Sequence, residues 1–508
     1  MSVFAWAAPS APPVKTLSGM VEGKDDGTVR SFLGIPYAQP PVGDLRWKAP
    51  VPAAKWEGVR KATEFGAHCL QGNPFGDMTF RDSGGSEDCL TLNVWAPSNP
   101  SSKKLPVMVW LYGGGFVAGS TSEGRQDGTH LAQQGVIVVS MNYRLGVFGF
   151  LVHPELAKES GHGSSGNYGL MDQVLALHWV HDNIAAFGGD PDNVTIFGES
   201  AGSFSVSAQM ASPLAKGLIN KAIGESGAAF SRSGLSFESL ATREEKDTKV
   251  VKDKLGVSTL AELRAVPAQK LLDTFGKSGP EGFAFGPNID GYFLPEPVPA
   301  IFAAGKQNDV PLLAGWNHDE GSFQIEFSPQ KPTAESMKAM AEKDFGDKAP
   351  EFLKLYPTDT PQKTMRSAED YAGDTFIAFS TWAWIEAQSK TGKHVIYRYR
   401  FDMAPPATGP NHPNHAAYHS AEIEYVFGQL DSKAGVPWRP EDRALSDQMM
   451  KYWSNFAKNG DPNGPGLPKW PRYISTDGWP VMFLSDKPEA HKDDLRDRYL
   501  FLESAWKK

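Results

Sequence analysis

The sequence predicts an α/β fold in which helices cover both faces of a large, mostly parallel, doubly wound sheet. Short apolar runs, rich in Val, Ile and Leu, are bounded by turn residues, which is typical of strands buried on both faces. Segments with apolar residues at helical spacing alternate with these runs, and such alternation is typical of a parallel sheet. Glycine-rich turns follow two of the runs, at the strand ends where parallel sheets carry their functional loops. The predicted strands are 91–96, 106–112, 135–140, 194–197, 221–224, 311–315 and 394–401.

The predicted helices lie between and after these strands. Their apolar residues recur at a spacing of three or four, so that each helix presents one apolar face to the sheet. The predicted helices are 170–187, 201–211, 332–355, 368–390 and a final amphipathic helix at 444–458.

The N-terminal part of the chain differs from the rest. Residues 1–18 are expected to be a flexible segment, in which Ala5-Trp6-Ala7 resembles the end of a signal peptide. The segment lacks a charged start and a full apolar core, so we interpret it as the remnant of a signal peptide. Alternating apolar residues within 19–37 predict a small antiparallel sheet.

Residues 19–508 are expected to form a single domain. The length of 508 residues does not force a division, because α/β folds of this kind often extend as one domain with insertions. We expect insertions around 236–304 and 332–390, where helical segments interrupt the alternating pattern.

Charge and hydropathy exclude some classes of partner. The net charge is −9 and no basic block occurs, which argues against nucleic acid. No apolar run is long enough to span a bilayer. We therefore expect a small-molecule substrate. The sequence does not fix the oligomeric state and leaves it open between a monomer and a weak dimer.

The chain contains two cysteines, Cys69 and Cys89. They are either two buried thiols or one disulfide that closes a loop and stabilises the fold by about 3 kcal/mol. A disulfide together with a signal-peptide remnant predicts an exported protein, secreted or periplasmic.

Gly198-Glu199-Ser200-Ala201-Gly202 has the G-x-S-x-G pattern of a nucleophile elbow. A simple Gly/Ser turn would also match, but here a predicted strand precedes the pattern and a predicted helix follows it. The strained turn would lift the Ser200 hydroxyl clear of the backbone, and the glycines would let strand and helix pass closely beneath it. Ser200 is therefore the predicted nucleophile.

Three glycines, Gly113, Gly114 and Gly115, follow the apolar strand 106–112. Without side chains, their N–H groups can approach a ligand closely. The alternative is a flexible hairpin loop, but the position upstream of the elbow favours an oxyanion-binding loop.

A serine nucleophile needs a base that is oriented by a carboxylate. In elbow-type hydrolases the chain order is serine, acid, histidine. Asp319 or Glu320, after the strand 311–315, could be the acid, and the base could be any of several later histidines. Chemistry alone leaves these alternatives open. The candidate histidines are His412, His415 and His419.

Six ordered motifs together resemble the type-B carboxylesterases, the cholinesterase-like family of α/β-hydrolases. The resemblance covers nearly the whole chain from Gly19. It implies the α/β-hydrolase fold and hydrolysis of carboxylic esters without a cofactor. The motifs are Glu87 to Val94, Tyr112 to Phe116, Asn142 to Gly146, Phe187 to Gly202, Asp319 to Phe323 and His419 to Gly428.

The resemblance assigns roles to individual residues. It implies that Ser200 is the nucleophile, Glu320 the orienting acid and His419 the general acid and base. The other implied assignments are an oxyanion hole formed by the backbone of Gly114, Gly115 and Ala201, supporting groups Glu199 and Ser226 near the triad, a Cys69–Cys89 disulfide, and structural ion pairs Arg46–Glu87 and Arg144–Asp172.

Two sites are not expected. The segment between Cys69 and Cys89 contains no Trp, whereas cholinesterases bind quaternary ammonium with a Trp there, so a choline site is not predicted. His415 and His419 are four residues apart but lack the Glu of H-E-x-x-H and lie in a Pro-rich loop, so no metal is predicted.

The segment after strand 221–224 contains Arg232, where cholinesterases place bulky apolar residues of the acyl pocket. Two interpretations of Arg232 are open. In the first, it is turned to solvent or paired with a nearby acid, and in the second it binds a carboxylate on the acyl group. The second interpretation suits esters of di- or tricarboxylic acids, such as the tricarballylate esters of fumonisin mycotoxins, which bacterial esterases of this family hydrolyse.

A lipase and a non-catalytic adhesion protein are the alternative functions.

Overall fold

The computed structural model describes residues 10–73, 75–99, 103–231, 235–276, 283–407 and 416–506. Eighteen strands and seventeen α-helices lie within these ranges. The strands are β1 (Val14–Lys15), β2 (Met20–Glu22), β3 (Lys24–Asp25), β4 (Val29–Pro36), β5 (Val59–Lys61), β6 (His68–Cys69), β7 (Gly85–Ser86), β8 (Thr91–Pro97), β9 (Leu105–Leu111), β10 (Ile137–Met141), β11 (Gly189–Glu199), β12 (Lys221–Glu225), β13 (Glu238–Ser239), β14 (Asn288–Ile289), β15 (Leu312–Asn317), β16 (Ile396–Phe401), β17 (Pro480–Leu484) and β18 (Glu489–Lys492).

The helices alternate with the strands in the central part of the chain. The α-helices are α1 (Thr129–Ala132), α2 (Gly146–Phe150), α3 (Pro154–Glu159), α4 (Tyr168–Asn183), α5 (Ala201–Ala211), α6 (Leu240–Leu255), α7 (Leu260–Ala265), α8 (Ala268–Phe275), α9 (Val298–Ala303), α10 (Ser322–Glu326), α11 (Ala334–Phe345), α12 (Ala349–Leu355), α13 (Pro361–Gly373), α14 (Phe379–Thr391), α15 (Ile423–Phe427), α16 (Pro440–Asn459) and α17 (Arg496–Trp506). A single π-helical turn, Asp374–Ala378, joins α13 to α14.

Eleven strands of the described residues form one large sheet, in the order β18-β17-β16-β15-β12-β11-β9-β10-β8-β4-β3. From β17 to β10 every neighbouring pair is parallel. The strands at both edges of the sheet pair antiparallel. The prediction of a large, mostly parallel sheet is therefore confirmed.

The elbow strand β11 lies in the middle of this sheet, between β9 and β12. Consecutive residues of a strand face opposite sides. Phe197 contacts Phe427 of α15, whereas a Cβ added to Gly198 would touch Gly202 of α5. Helices therefore cover both faces, as the doubly wound prediction requires.

The small N-terminal sheet consists of β1, β2 and β5. The β1–β2 pair is antiparallel as predicted, whereas β5 adds to β2 in parallel. The strand β4 instead joins the large sheet, because its Phe32 and Ile35 are fully buried and lie opposite β8.

The predicted final helix corresponds to α16, but it is not the last element. After it the chain forms β17, β18 and α17. The apolar run of β17 extends the parallel part of the sheet, and the polar β18 closes that edge. The sequence prediction overlooked this short strand because it is only five residues long and begins with Pro480.

Three covalent and ionic links fix the polypeptide near the site. Cys69 and Cys89 form the predicted disulfide. The predicted ion pair of Arg46 with Glu87 is present, with two hydrogen bonds of 2.6 and 2.7 Å. The predicted ion pair of Arg144 with Asp172 is also present, with hydrogen bonds of 2.6 and 2.8 Å.

Among the described residues, no helix combines the length and the apolar character that crossing a bilayer would require. The expected insertions contain α6 to α9 in one segment and α11 to α14 in the other. The single-domain organisation of residues 19–508 stays a prediction.

Candidate active site

Ser200 lies at the turn between β11 and α5, with a backbone φ of +54°. This left-handed conformation is rare for a residue with a Cβ, and it marks a strained turn. A Cβ added to Gly202 would lie 1.9 Å from the carbonyl oxygen of Leu111, and one on Gly198 would lie 2.7 Å from the carbonyl carbon of Gly202. The two glycines are therefore required for strand and helix to pass this closely.

The structure brings Ser200, His419 and Glu320 into one hydrogen-bonded line. His419 Nε2 lies 2.9 Å from Ser200 Oγ, and His419 Nδ1 lies 2.6 Å from Glu320 Oε2. Ser200 is 7% exposed and Glu320 is 1% exposed. This line has the geometry of a nucleophile, a base and an orienting acid.

Glu320 is held in place by the end of β15. The backbone N–H of Asn317 donates a hydrogen bond of 2.8 Å to Glu320 Oε1, which leaves Oε2 for the histidine. A Cβ added to Gly373 would lie 3.3 Å from Glu320 Cβ, so helix α13 closes tightly over the acid.

Asp319 has a different position and different partners. Its Oδ2 accepts a hydrogen bond of 2.8 Å from the backbone N–H of Ala417, and its Oδ1 accepts one of 2.5 Å from Arg366. These contacts hold the segment that precedes His419. The geometry thus distinguishes the two carboxylates that the sequence left as alternatives.

The glycine loop after β9 lies directly against the elbow. A Cβ added to Gly113 would lie 3.1 Å from Ser200 Cβ. Gly114 and Gly115 have φ values of +99° and +63°, which favour glycine. Across the described residues, the N–H groups of Gly114, Gly115 and Ala201 donate to no protein acceptor. They are therefore available to bind an oxyanion beside Ser200.

Three more buried carboxylates lie near the triad. Glu199 Oε1 lies 3.3 Å from His419 Nε2. Glu422 lies 3.5 Å from the hydroxyl of Ser226, which donates to it, and its other oxygen accepts a hydrogen bond from Asn317. Glu225 accepts a hydrogen bond of 2.7 Å from the indole of Trp453. The positions of Glu199 and Ser226 near the triad agree with the resemblance.

Burial raises the pKa of Glu199, and neighbouring Glu422 adds to the effect, whereas His419 opposes it. Burial also raises the pKa of Glu422, to about 7, and it raises that of Glu225 well above the usual range. Burial by itself would lower the pKa of His419. The carboxylates of Glu199 and Glu320 outweigh burial, so the pKa of His419 is raised.

Sequence reasoning missed Glu422, Glu225 and Phe376. Glu422 follows His419 by three residues, and this short separation could have indicated that the two side chains lie near each other. The ring of Phe376, from the π-helical turn, lies 5.1 Å from the His419 ring. No local pattern predicts that contact, because it joins distant parts of the chain.

Three predicted candidates, Arg232, His412 and His415, lie outside the described residues. Among the residues that are described, no group of three or more His, Cys, Asp or Glu side chains is arranged to hold a metal ion.

Known proteins resemble this chain in sequence and in fold. The sequence profile of the Carboxylesterase family matches residues 10–501. Fumonisin B1 esterase of Sphingopyxis macrogoltabida is 37% identical over 485 residues, which cover 90% of this chain and 84% of that enzyme. Para-nitrobenzyl esterase of Bacillus subtilis (strain 168) is 40% identical over 474 residues, covering 91% of this chain and 92% of the relative. A solved PNB esterase structure superposes with a TM-score of 0.83 at 36% identity, covering 96% of this chain and 99% of its own.

We predict that Glu320→Gln is far more damaging than Asp319→Asn. The amide cannot stabilise a positively charged His419, so kcat should fall by about 10³–10⁴-fold. Asn at 319 keeps an oxygen that accepts from Ala417 N–H, so the kcat of this variant should fall by less than about tenfold. Steady-state hydrolysis of p-nitrophenyl acetate measures both. Equal losses would leave the acid unassigned, and the reverse order would show that Asp319 is the acid.

We also predict that Glu199→Gln shifts the pH profile. His419 must be neutral to accept a proton, and the Glu199 carboxylate raises its pKa. Removing that charge lowers the His419 pKa, so the rising limb of kcat/KM should move to lower pH by about 1–3 units. Glu489→Gln, on exposed strand β18, is the matched control. A limb that stays in place or moves to higher pH would contradict the assigned cause.

Proposed function

This chain belongs to the carboxylesterase family and is a carboxylic-ester hydrolase, and we propose that it works through an acyl-serine intermediate with Ser200, His419 and Glu320 as its catalytic triad. The observation that carries the proposal is the hydrogen-bonded line from Ser200 Oγ through His419 to Glu320. A strained serine with an adjacent histidine is the arrangement that activates a hydroxyl as a nucleophile.

Acylation begins when Ser200 Oγ attacks the ester carbonyl carbon. His419 Nε2 accepts the serine proton as the new bond forms. The carbonyl oxygen becomes an oxyanion, which the N–H groups of Gly114, Gly115 and Ala201 stabilise. The tetrahedral intermediate then collapses, and His419 gives its proton to the departing alcohol.

Deacylation repeats these steps with water as the nucleophile. His419 takes a proton from the water, whose oxygen attacks the acyl-serine carbonyl. Collapse of the second tetrahedral intermediate returns the proton to Ser200 and releases the carboxylic acid. Glu320 keeps the imidazole oriented and stabilises its positive charge in both halves. Glu199 and Ser226 support that charge and the turn beside it.

The alcohol part of the substrate is proposed to be apolar or aromatic. His419 protonates the departing alcohol, so groups next to its ring flank the alcohol site. The aromatic ring in contact with it is that of Phe376, and Phe323 packs against Phe376 with ring centroids 5.6 Å apart. A relative named para-nitrobenzyl esterase supports an aromatic alcohol part.

The acyl part could carry carboxylates, which is a second proposal about the substrate. It rests on Arg232 in the segment after β12 and on the relative named fumonisin B1 esterase. An always-charged guanidinium can bind a carboxylate with two hydrogen bonds. Esters of di- or tricarboxylic acids, including the tricarballylate esters of fumonisins, would then be substrates and the enzyme would degrade mycotoxins.

Export of the protein, to the cell exterior or the periplasm, is a third part of the proposal. The Cys69–Cys89 disulfide supports it, because disulfides persist mainly in oxidising compartments.

Ser200→Ala is predicted to abolish the acylation burst while leaving the fold intact. Only the residual acceleration due to binding and the oxyanion hole, about 10³–10⁴-fold over water, should remain. Stopped-flow release of p-nitrophenol from short- and long-acyl esters measures the burst, and circular dichroism checks the fold. Turnover of the variant near that of the parent would show that Ser200 is not the nucleophile. A preference rising with acyl length would indicate a lipase, and no turnover by the parent would indicate an adhesion protein.

Arg232→Ala is predicted to impair only anionic esters. Losing a partly desolvated contact to a carboxylate should cost about 1.5–3 kcal/mol in kcat/KM on an ester with a free acyl carboxylate. A neutral ester of similar size, the matched control, should change little. Equal effects on both would remove Arg232 from the site and the anionic-acyl proposal with it.

A further inference from the structure

The loop closed by the Cys69–Cys89 disulfide contacts the segment that follows the glycine loop. Gln71, two residues after the first cysteine, forms hydrogen bonds with both the backbone N–H and the backbone carbonyl of Gly119. Its Oε1 accepts from Gly119 N–H at 2.7 Å, and its Nε2 donates to the Gly119 carbonyl at 2.8 Å. The same Nε2 donates to the Cys69 carbonyl at 3.0 Å. Gln71 thus connects Gly119 to the backbone of Cys69, one of the two disulfide-bonded residues.

Gly119 in turn lies against the start of the glycine loop. It has a φ of +132°, and a Cβ there would lie 2.4 Å from the Tyr112 ring and 2.9 Å from the Gly113 carbonyl oxygen. Within the loop, the N–H groups of Val117 and Ala118 both donate to the Gly114 carbonyl, at 3.0 and 3.1 Å. A displacement of Gly119 would therefore be transmitted to Gly114.

The disulfide loop also holds the residues after Gly119. Asp82 Oδ2 accepts hydrogen bonds from Ser120 Oγ at 3.0 Å and from Ser122 Oγ at 2.5 Å, and both serines are fully buried. Its Oδ1 lies 2.7 Å from His68 Nδ1. Arg81 donates to the Ser122 carbonyl at 2.8 Å. One end of the glycine loop is fixed by β9, and the other end is fixed by this disulfide loop.

We propose that Gln71 is a positioning residue for the oxyanion hole. Through its paired hydrogen bonds to Gly119, Gln71 holds the N–H groups of Gly114 and Gly115 in position. The inference rests on the proposed function of those N–H groups. Gln71 itself bonds to Gly119 and Cys69 and not to the catalytic line. Because oxyanion donors act mainly in the transition state, a small displacement should lower kcat and leave KM nearly unchanged.

The test compares Gln71→Ala with Gln71→Met, which keeps most of the side-chain volume without the hydrogen bonds. Both variants should lower kcat by about 10- to 100-fold, with KM within about twofold. The affinity for a trifluoromethyl ketone, which forms an anionic tetrahedral adduct with the serine, should fall in parallel with kcat. Gln269→Ala, which removes a surface hydrogen bond to Asp273, is the matched control and should leave all three values unchanged.

Active-site titration gives kcat per folded, acylating enzyme, so partial unfolding does not imitate the effect. A Gln71→Met variant with the kcat and ketone affinity of the parent would overturn the proposal, because volume alone would then suffice. Equal losses of ketone affinity and of affinity for an unreactive ester analogue would also overturn it, since the residue would then act on binding in general.

A second arm tests the connection to the disulfide. Replacing Cys69 and Cys89 together by Ser should lower kcat and ketone affinity in the same way, and adding Gln71→Ala should cost little more, because both changes release Gly119. Fully additive effects would show that the disulfide does not act through Gln71. If the parent enzyme itself neither acylates nor binds the ketone, the proposed function is wrong. If the parent does both and the Gln71 variants match it, only the proposal about Gln71 is wrong.

Discussion

The close approach of three backbones beneath Ser200 constrains the rest of the structure. The carbonyl of Leu111, at the end of β9, lies where a side chain on Gly202 would have to be, and the first turn of α5 passes directly over Gly198. This packing makes Ser200 adopt its left-handed conformation. It also brings the glycine loop after β9 against the serine. The proposed nucleophile and the proposed oxyanion site therefore depend on the same contact.

The surroundings of His419 are governed by buried charge. Glu199, Glu225, Glu320 and Glu422 lie in an interior where water cannot stabilise several carboxylates at once. Burial and mutual repulsion raise the pKa of three of them, while their field favours a protonated His419. In the proposed mechanism, the positive imidazole that forms in each half-reaction is the species this environment stabilises. The hydrogen bonds of Asn317 to Glu320 and Glu422 keep two of these acids in fixed positions.

The proposed oxyanion site depends instead on hydrogen bonds from a distant loop. Gln71 and Asp82 fix residues 119–122, and the disulfide closes the loop that carries them. A glycine loop is conformationally free, so its ends must be held if its N–H groups are to point at one place. In this protein the support comes from the strand β9 on one side and from a covalently closed loop on the other. Stability of that loop and precision of the site are therefore linked.

The sequence by itself determined the strand-and-helix alternation, the elbow around Ser200 and the glycine loop, because these depend on local residue pattern. It also suggested the Cys69–Cys89 bridge and, by resemblance, a choice of His419 and Glu320. Only the tertiary structure decided which neighbours each side chain meets. Asp319 and Glu320 are adjacent and chemically alike, yet Asp319 binds Ala417 and Arg366 while Glu320 binds His419. The contact of Phe376 with His419, the pairing of β17 with β16, and the Gln71–Gly119 hydrogen bonds also join segments far apart in the chain. Such contacts are set by how the whole sheet packs, and no local pattern records them.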